Sequence, residues 1–204
     1  MRRLLIFFNV LLPISMLAQE PFERLGQRSM MNGDFSSAAN YFEKAYSADN
    51  SNMNVLYLMG YSAYHANNYR KSISAFDKLI SFKPDESIAY YYRGKAKMNL
   101  CQQIKDLNSS DKEPLLLGAI KDFTTGISLT PADMKFYQNR GLAYQEYGIY
   151  KSQKINGVYN KNAVISAANS SIADFKKVLN ENSGRKDILN QIERSKQIIV
   201  DISR

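Results

Sequence analysis

Gly26, Gly60 and Gly94 stand 34 residues apart, and Phe42 and Phe76, each sixteen residues behind one of the first two glycines, keep the same period. Two residue types recurring together at one interval mark a chain built from copies of a short unit. Such a unit cannot bury its apolar face alone and must stack on its neighbours. Later copies keep the residues but stretch the interval: Gly94 to Gly141 is 47 residues, and Phe123 to Phe175 is 52. A small residue lies four positions before each phenylalanine (Ala38, Ser72, Ala119 and Ser171), so four copies are visible.

Within a copy the apolar residues recur every three or four positions, as in Ala38, Phe42 and Ala45 or Ile73, Phe76 and Ile80. That spacing lines one face of a helix and excludes a strand. The segments NGDF and ANNY interrupt the first two copies at their midpoints, and Pro84 and Pro131 close the second and third. Each copy is therefore read as a helix, a tight turn and a second helix.

The second copy, VLYLMGYSAYHANNYRKSISAFDKLISFKP, carries Leu56, Gly60, Tyr69, Ser72, Phe76 and Pro84 at spacings that resemble the tetratricopeptide repeat family. The resemblance implies an all-α, right-handed α-solenoid of about four repeats, covering residues 19–52, 53–86, 87–133 and 134–183. The segment 184–204 is read as a capping helix, because Ile188, Ile192, Ile199 and Ile202 share one face. The first copy departs from the family pattern at Ser29 and Asn50.

The extra residues of the third and fourth copies, about 101–118 and 148–170, fall between the two helices of their repeats. In the third, helix is expected to about Leu107, a turn through Asn108 to Asp111, and a restart near Pro114. In the fourth, either both helices lengthen by about two turns around Asn156 and Gly157 or the segment forms a loop.

The first twenty residues, MRRLLIFFNVLLPISMLAQE, have a basic start, an apolar run from Leu4 to Leu17 broken by Asn9 and Pro13, and a small Ala18. This is the pattern of a secretory leader cleaved after Ala18, residues 1–18. A membrane anchor or a buried first helix is the competing reading, but a spanning helix needs about 20 apolar residues. An exported protein, periplasmic or secreted and without a membrane anchor after cleavage, is expected.

One cysteine, Cys101, and one histidine exclude an internal disulfide framework and the usual zinc sets, so no cofactor is expected. The sequence holds no HExxH, GxSxG, GxxxxGK[ST] or GxGxxG pattern, and an enzyme is not expected. Glu43, Asp77, Asp122 and Asp174 are read as solvated or ion-paired carboxylates on exposed faces of the second helices.

The resemblance implies binding instead, in a concave groove lined by first helices that takes a protein or peptide partner. Carried over by register, that groove holds Glu23, Gln27 and Met30; then Asn54, Tyr57, Tyr61 and Tyr64; then Tyr91, Lys95 and Met98; and finally Gln138, Leu142 and Gln145. Family members that grip a terminal carboxylate use a lysine, asparagine and arginine set absent here. The groove tyrosines are open to two roles, contact with a partner or packing between repeats. In the run AYYYRG, Tyr90 is expected to point into its own repeat, Tyr91 into the groove and Tyr92 toward the neighbouring repeat or solvent. His65 is read as a pH-sensitive groove residue or a polar helix end.

Charge supplies an alternative. Of a formal net charge of +8, most of the excess lies after Gly148, in Lys151, Lys154, Lys161, Lys176, Lys177, Arg185, Lys186, Arg194 and Lys196. That end could bind an anionic polymer or a membrane surface. A nucleic-acid partner is not expected for an exported chain.

Overall fold

The computed structural model describes residues 14–106, 109–155 and 157–203. Among them nine helices follow in order: α1 (Ile14–Met31), α2 (Phe35–Ala48), α3 (Met53–His65), α4 (Tyr69–Phe82), α5 (Ser87–Gln103), α6 (Lys112–Leu129), α7 (Met134–Ser152), α8 (Lys161–Glu181) and α9 (Lys186–Ser203). Each helix packs on the next, and α3, α5, α7 and α9 also touch along one row. The result is an α-solenoid of four helix pairs closed by a final helix, with the odd-numbered helices forming the inner layer. Residues 1–13 of the expected leader 1–18 lie outside the described residues, and the expected cleavage point after Ala18 falls within α1.

Local chemistry sets the turns. Gly33 and Asn67, 34 residues apart, take positive φ values of 76° and 58°, a region open to glycine and tolerated by asparagine. The next residue caps the second helix in each case. The Asp34 carboxylate accepts from the Ser37 amide at 3.0 Å, and the Asn68 side chain accepts from the Lys71 amide at 3.2 Å. Asn160 does the same for α8, accepting from the Ala163 amide at 3.0 Å.

The periodic residues meet in space. Phe42, Phe76, Phe123 and Phe175 are fully buried. A Cβ placed on Gly26, Gly60, Gly94 or Gly141 would lie 2.8–2.9 Å from a ring carbon of the phenylalanine in the same pair. Glycine is thus required because the ring occupies the volume of the missing side chain. Between pairs, Gly126 of α6 receives Phe136 of α7 in the same way. The corresponding positions one repeat earlier hold Leu79 and Ala89, both core residues, so large and small have exchanged places.

Two carboxylates take the ion-paired alternative, but are buried where exposed faces were expected. Asp122 and Asp174 are 1% and 5% exposed, not solvated, because each is gripped by an arginine one position before the repeat glycine. Arg93 donates through Nε to Asp122 at 3.1 Å, Lys97 Nζ donates to the same carboxylate at 2.7 Å, and Arg140 pairs with Asp174 at 2.7 Å. Each arginine also reaches the preceding repeat, Arg93 to Asp77 and Arg140 to the Thr124 hydroxyl.

The described parts of both insertions are structured. α5 ends at Gln103, short of the expected Leu107, because Ile104 turns to an extended conformation (ψ 108°); Leu107 and Asn108 lie outside the described residues. α6 starts at Lys112, so Pro114 sits in its first turn, where its missing N–H has no intrahelical partner to lose. In the fourth repeat the helical alternative holds: α7 and α8 have 19 and 21 residues against 13 and 14 in α3 and α4. Asn156, the expected turn residue, lies outside the described residues. The lengthened ends meet in a second small core of Cys101, Leu116, Tyr150 and Val158. Glu113 fastens its rim, accepting from the Tyr147 hydroxyl at 3.1 Å and from Lys151 Nζ at 3.3 Å.

α9 covers the last pair as expected. Ile188 and Ile192 join Phe175 and Val178, while Ile199 and Ile202 are half-buried. A polar triad adds specificity: Ser195 bonds to Gln145 Nε2 at 2.9 Å and to the Ser171 hydroxyl at 3.0 Å.

Two outcomes follow for stability. Gly94→Ala should cost about 1–3 kcal/mol in urea unfolding, since its Cβ collides with a fixed ring. Gly148→Ala, whose Cβ would meet its nearest neighbour at an ordinary 3.6 Å, should be neutral or stabilise by up to about 1 kcal/mol. A chain ending at Asn182 should expose the apolar surface of α8 and precipitate; a soluble, fully helical truncation by circular dichroism would contradict the capping role of α9.

Candidate functional site

The inner face of α3 and α5 carries a cluster of half-buried rings. Tyr57, Tyr61 and Tyr64 are spaced four and three along α3, which aligns them on one side. Tyr92 of α5 lies between them. It stacks on Phe76 with centroids 5.8 Å apart and planes 12° from parallel, and meets Tyr61 at 5.2 Å, Tyr64 at 5.5 Å and Tyr57 at 6.4 Å edge-on. Tyr91 continues the row toward α7, 5.3 Å from Tyr92 and 5.7 Å from Phe136. Phe35 and His65 close the other end, 4.9 Å apart, with the imidazole 4.3 Å from Tyr61.

The expected groove residues separate into two groups. Tyr57, Tyr61, Tyr64, Tyr91 and Lys95 come together on this surface, with Asn54 exposed beside Tyr57. Met98 and Gln145 do not belong to an open surface, being 9% and 1% exposed. Met98 packs with Phe123 and Phe136, and Gln145 is consumed by α9 through Ser195 and the Gln191 carbonyl. Gln138 is half-buried and accepts from Arg185 at 3.2 Å, and Leu142 packs into the core. Glu23 is held by Gln27, and Met30 lies against the first core cluster.

The three consecutive tyrosines diverge, as their helical positions require. Tyr90 points inward, 9% exposed, its hydroxyl donating to the Pro84 carbonyl at 2.9 Å. Tyr92 leans on the preceding repeat, but in doing so becomes the centre of the cluster, a role the sequence reading did not give it. Its register, two residues before Gly94, was the available signal: that position faces the neighbouring inner helix.

Beside the rings, Met53, Asn54, Tyr57, Leu79, Lys83, Glu86 and Ile88 surround an open depression of about 280 Å³. Its apolar members lie at the seam between α3, α4 and α5.

The segment 29–98, which contains all these rings except Phe136, matches the tetratricopeptide repeat family. Residues 29–98 are thus tetratricopeptide repeats. No curated protein matches the chain in sequence. Solved structures share the fold of the repeat protein at low identity. A thermophilic tetratricopeptide repeat protein of Thermus thermophilus is 15% identical over 87% of this chain and 98% of its own, with a TM-score of 0.52. MamA of Desulfovibrio magneticus RS-1, from residue 41 to its end, is 18% identical over 91% and 95%, with a TM-score of 0.55. The corresponding domain of Arabidopsis OM64 is 16% identical over 63% and 96%, with a TM-score of 0.52.

The cluster sets neutral phenols beside the Lys95 cation. Burial raises the pKa of Tyr57 and Tyr92, so both phenols stay neutral at physiological pH. The Lys95 ammonium lies 5.0 Å from the Tyr64 ring centre and 5.4 Å from that of Tyr91, a cation over two aromatic faces. Burial opposes its charge, yet the Tyr64 and Tyr91 hydroxyls outweigh that and hold its pKa above the ordinary value. Among the described residues no group of three or more His, Cys, Asp or Glu side chains is placed to hold a metal ion.

His65 responds in the opposite sense. Burial first, then the nearby Lys95 charge, lowers its pKa from the ordinary 6.5. The folded state therefore favours neutral imidazole; stability from this site is present above about pH 6.5 and is lost as pH falls through the depressed folded value. Proton NMR titration of this single histidine should give a midpoint below 6.5, moving up in Lys95→Met. A midpoint at or above 6.5 would contradict this placement of His65.

Proposed function

We propose that this repeat protein is a non-catalytic adaptor or assembly factor that binds an extended peptide or partner segment along the inner face of α3 and α5. The observation that carries this reading is the cluster of Tyr57, Tyr61, Tyr64, Tyr91 and Tyr92, half-buried and backed by Phe76 yet still open on one side. Tyrosine offers a large contact area at low entropic cost and keeps a hydroxyl for orientation, a combination enriched at protein interfaces. The leader-like residues 1–18 support a location outside the cytoplasm, periplasmic or secreted.

The alternative, an anionic polymer or membrane surface on the basic end, has weaker support. Lys151 is buried against Glu113, Arg185 pairs with Asp187, Arg194 with Glu146 and Lys196 with Glu193. The remaining cations, Lys154, Lys161, Lys176, Lys177 and Lys186, are spread over the turn before α8, two stretches of α8 and the start of α9.

The two readings differ in a measurable way. Replacing Tyr57, Tyr61 and Tyr91 together by alanine should abolish partner capture by the immobilised protein, and the wild-type interaction should survive a rise from about 50 to about 200 mM salt. Capture that persists in the triple variant and collapses over that salt range would transfer the function to the basic end.

A further inference from the structure

On the inner face, Lys95 has no carboxylate partner among the described residues. Lys97 is neutralised by Asp122 and Lys135 by Asp133, both at 2.7 Å. Lys95 is half-buried, and its neighbours are the rings and hydroxyls of Tyr64 and Tyr91. An ammonium held partly out of water without a counter-charge loses hydration that neutral rings restore only in part. A ligand carboxylate would complete it with a charge-assisted hydrogen bond.

About two helical turns away along α3, beyond Tyr57, lies the depression floored by Met53, Leu79 and Ile88. On its rim Lys83 and Glu86 oppose each other in charge, so this end selects for apolar shape and not for sign. Tyr57 and Tyr64 are seven residues apart, which corresponds to about 10 Å along a helix. An extended chain covers that distance in about three residues.

We propose that the groove recognises an internal segment of a partner protein carrying one acidic residue, bound by Lys95, and one large apolar residue about three positions away, seated against Met53, Leu79 and Ile88. The tyrosines between the two ends stack on the backbone and intervening side chains. This inference rests on the groove reading above and specifies the chemistry of its occupant. It differs from terminal-carboxylate recognition, since a single lysine meets a side chain and no free chain end is needed.

The test is selection from a phage-displayed library of random twelve-residue segments held within a carrier loop, so that no terminus is available. The wild-type protein is compared with Lys95→Met and with Tyr57→Ala/Tyr92→Ala, each verified as folded by circular dichroism. Wild type should enrich segments with an Asp or Glu about three residues from Phe, Leu, Ile or Met. Lys95→Met should lose the acidic preference, binding the selected segments about tenfold or more weakly and no longer distinguishing Asp from Asn. Enrichment without an acidic residue, or an acidic preference that survives in Lys95→Met, overturns this inference while leaving the groove reading standing. No enrichment by folded wild type, or equal binding by the Tyr57→Ala/Tyr92→Ala variant, overturns the groove reading itself.

Discussion

In every repeat a phenylalanine ring sits where a glycine lacks a side chain, and the rest of the molecule depends on that contact. The four rings are fully buried, and each lies within 2.8–2.9 Å of the position a Cβ would take. Burying one such ring is worth about 1.5–3 kcal/mol, but its geometric consequence is larger than its energy. The contact fixes how closely the two helices of a pair approach, and hence the angle at which the next pair is added. At the second repeat the consequence reaches the candidate site directly. Phe76 also meets Tyr92, stacked 5.8 Å away, around which Tyr57, Tyr61, Tyr64 and Tyr91 gather. A core ring thus supports the floor of the groove.

The two halves of the solenoid secure this plan differently. The first two pairs place Leu25 and Met59 before the glycine, and the last two place Arg93 and Arg140 there, each gripping a buried aspartate before the phenylalanine and a group in the preceding repeat. Removing one partner of such a pair leaves a charge without its counter-ion in a place with little water, so these links hold repeats in one relative position. The third and fourth repeats are also the longer ones, and their extensions enclose a core of their own around Cys101, Leu116, Tyr150 and Val158. This end is cross-tied by charge and by a second core, and the aromatic face spans the junction between the short second repeat and the longer third.

Much of the architecture was legible in the sequence because it is periodic. The glycine and phenylalanine series, the αL-and-cap turns at Gly33–Asp34 and Asn67–Asn68, and the apolar face of α9 are each carried by residues within one repeat. What escaped is what depends on two repeats or on a pairing across helices. Asp122 and Asp174 look exposed on their own helices, and the arginines 29 and 34 residues earlier, with Lys97 at Asp122, account for their burial. Met98 and Gln145 occupy groove register, but α7 and α9 close over them. Tyr92 was placed toward its neighbour correctly, while its central position in the cluster needed the facing tyrosines of α3.

The most direct measurement of this account is a double-mutant cycle in urea unfolding on Gly60→Ala and Phe76→Leu. If the ring occupies the place of the missing side chain, Gly60→Ala should be costly with phenylalanine present and clearly less costly beside the smaller leucine, where the 3.2 Å approach to the Ala75 Cβ remains, a coupling of about 1–3 kcal/mol. Strictly additive effects would contradict the claim that this contact sets the repeat.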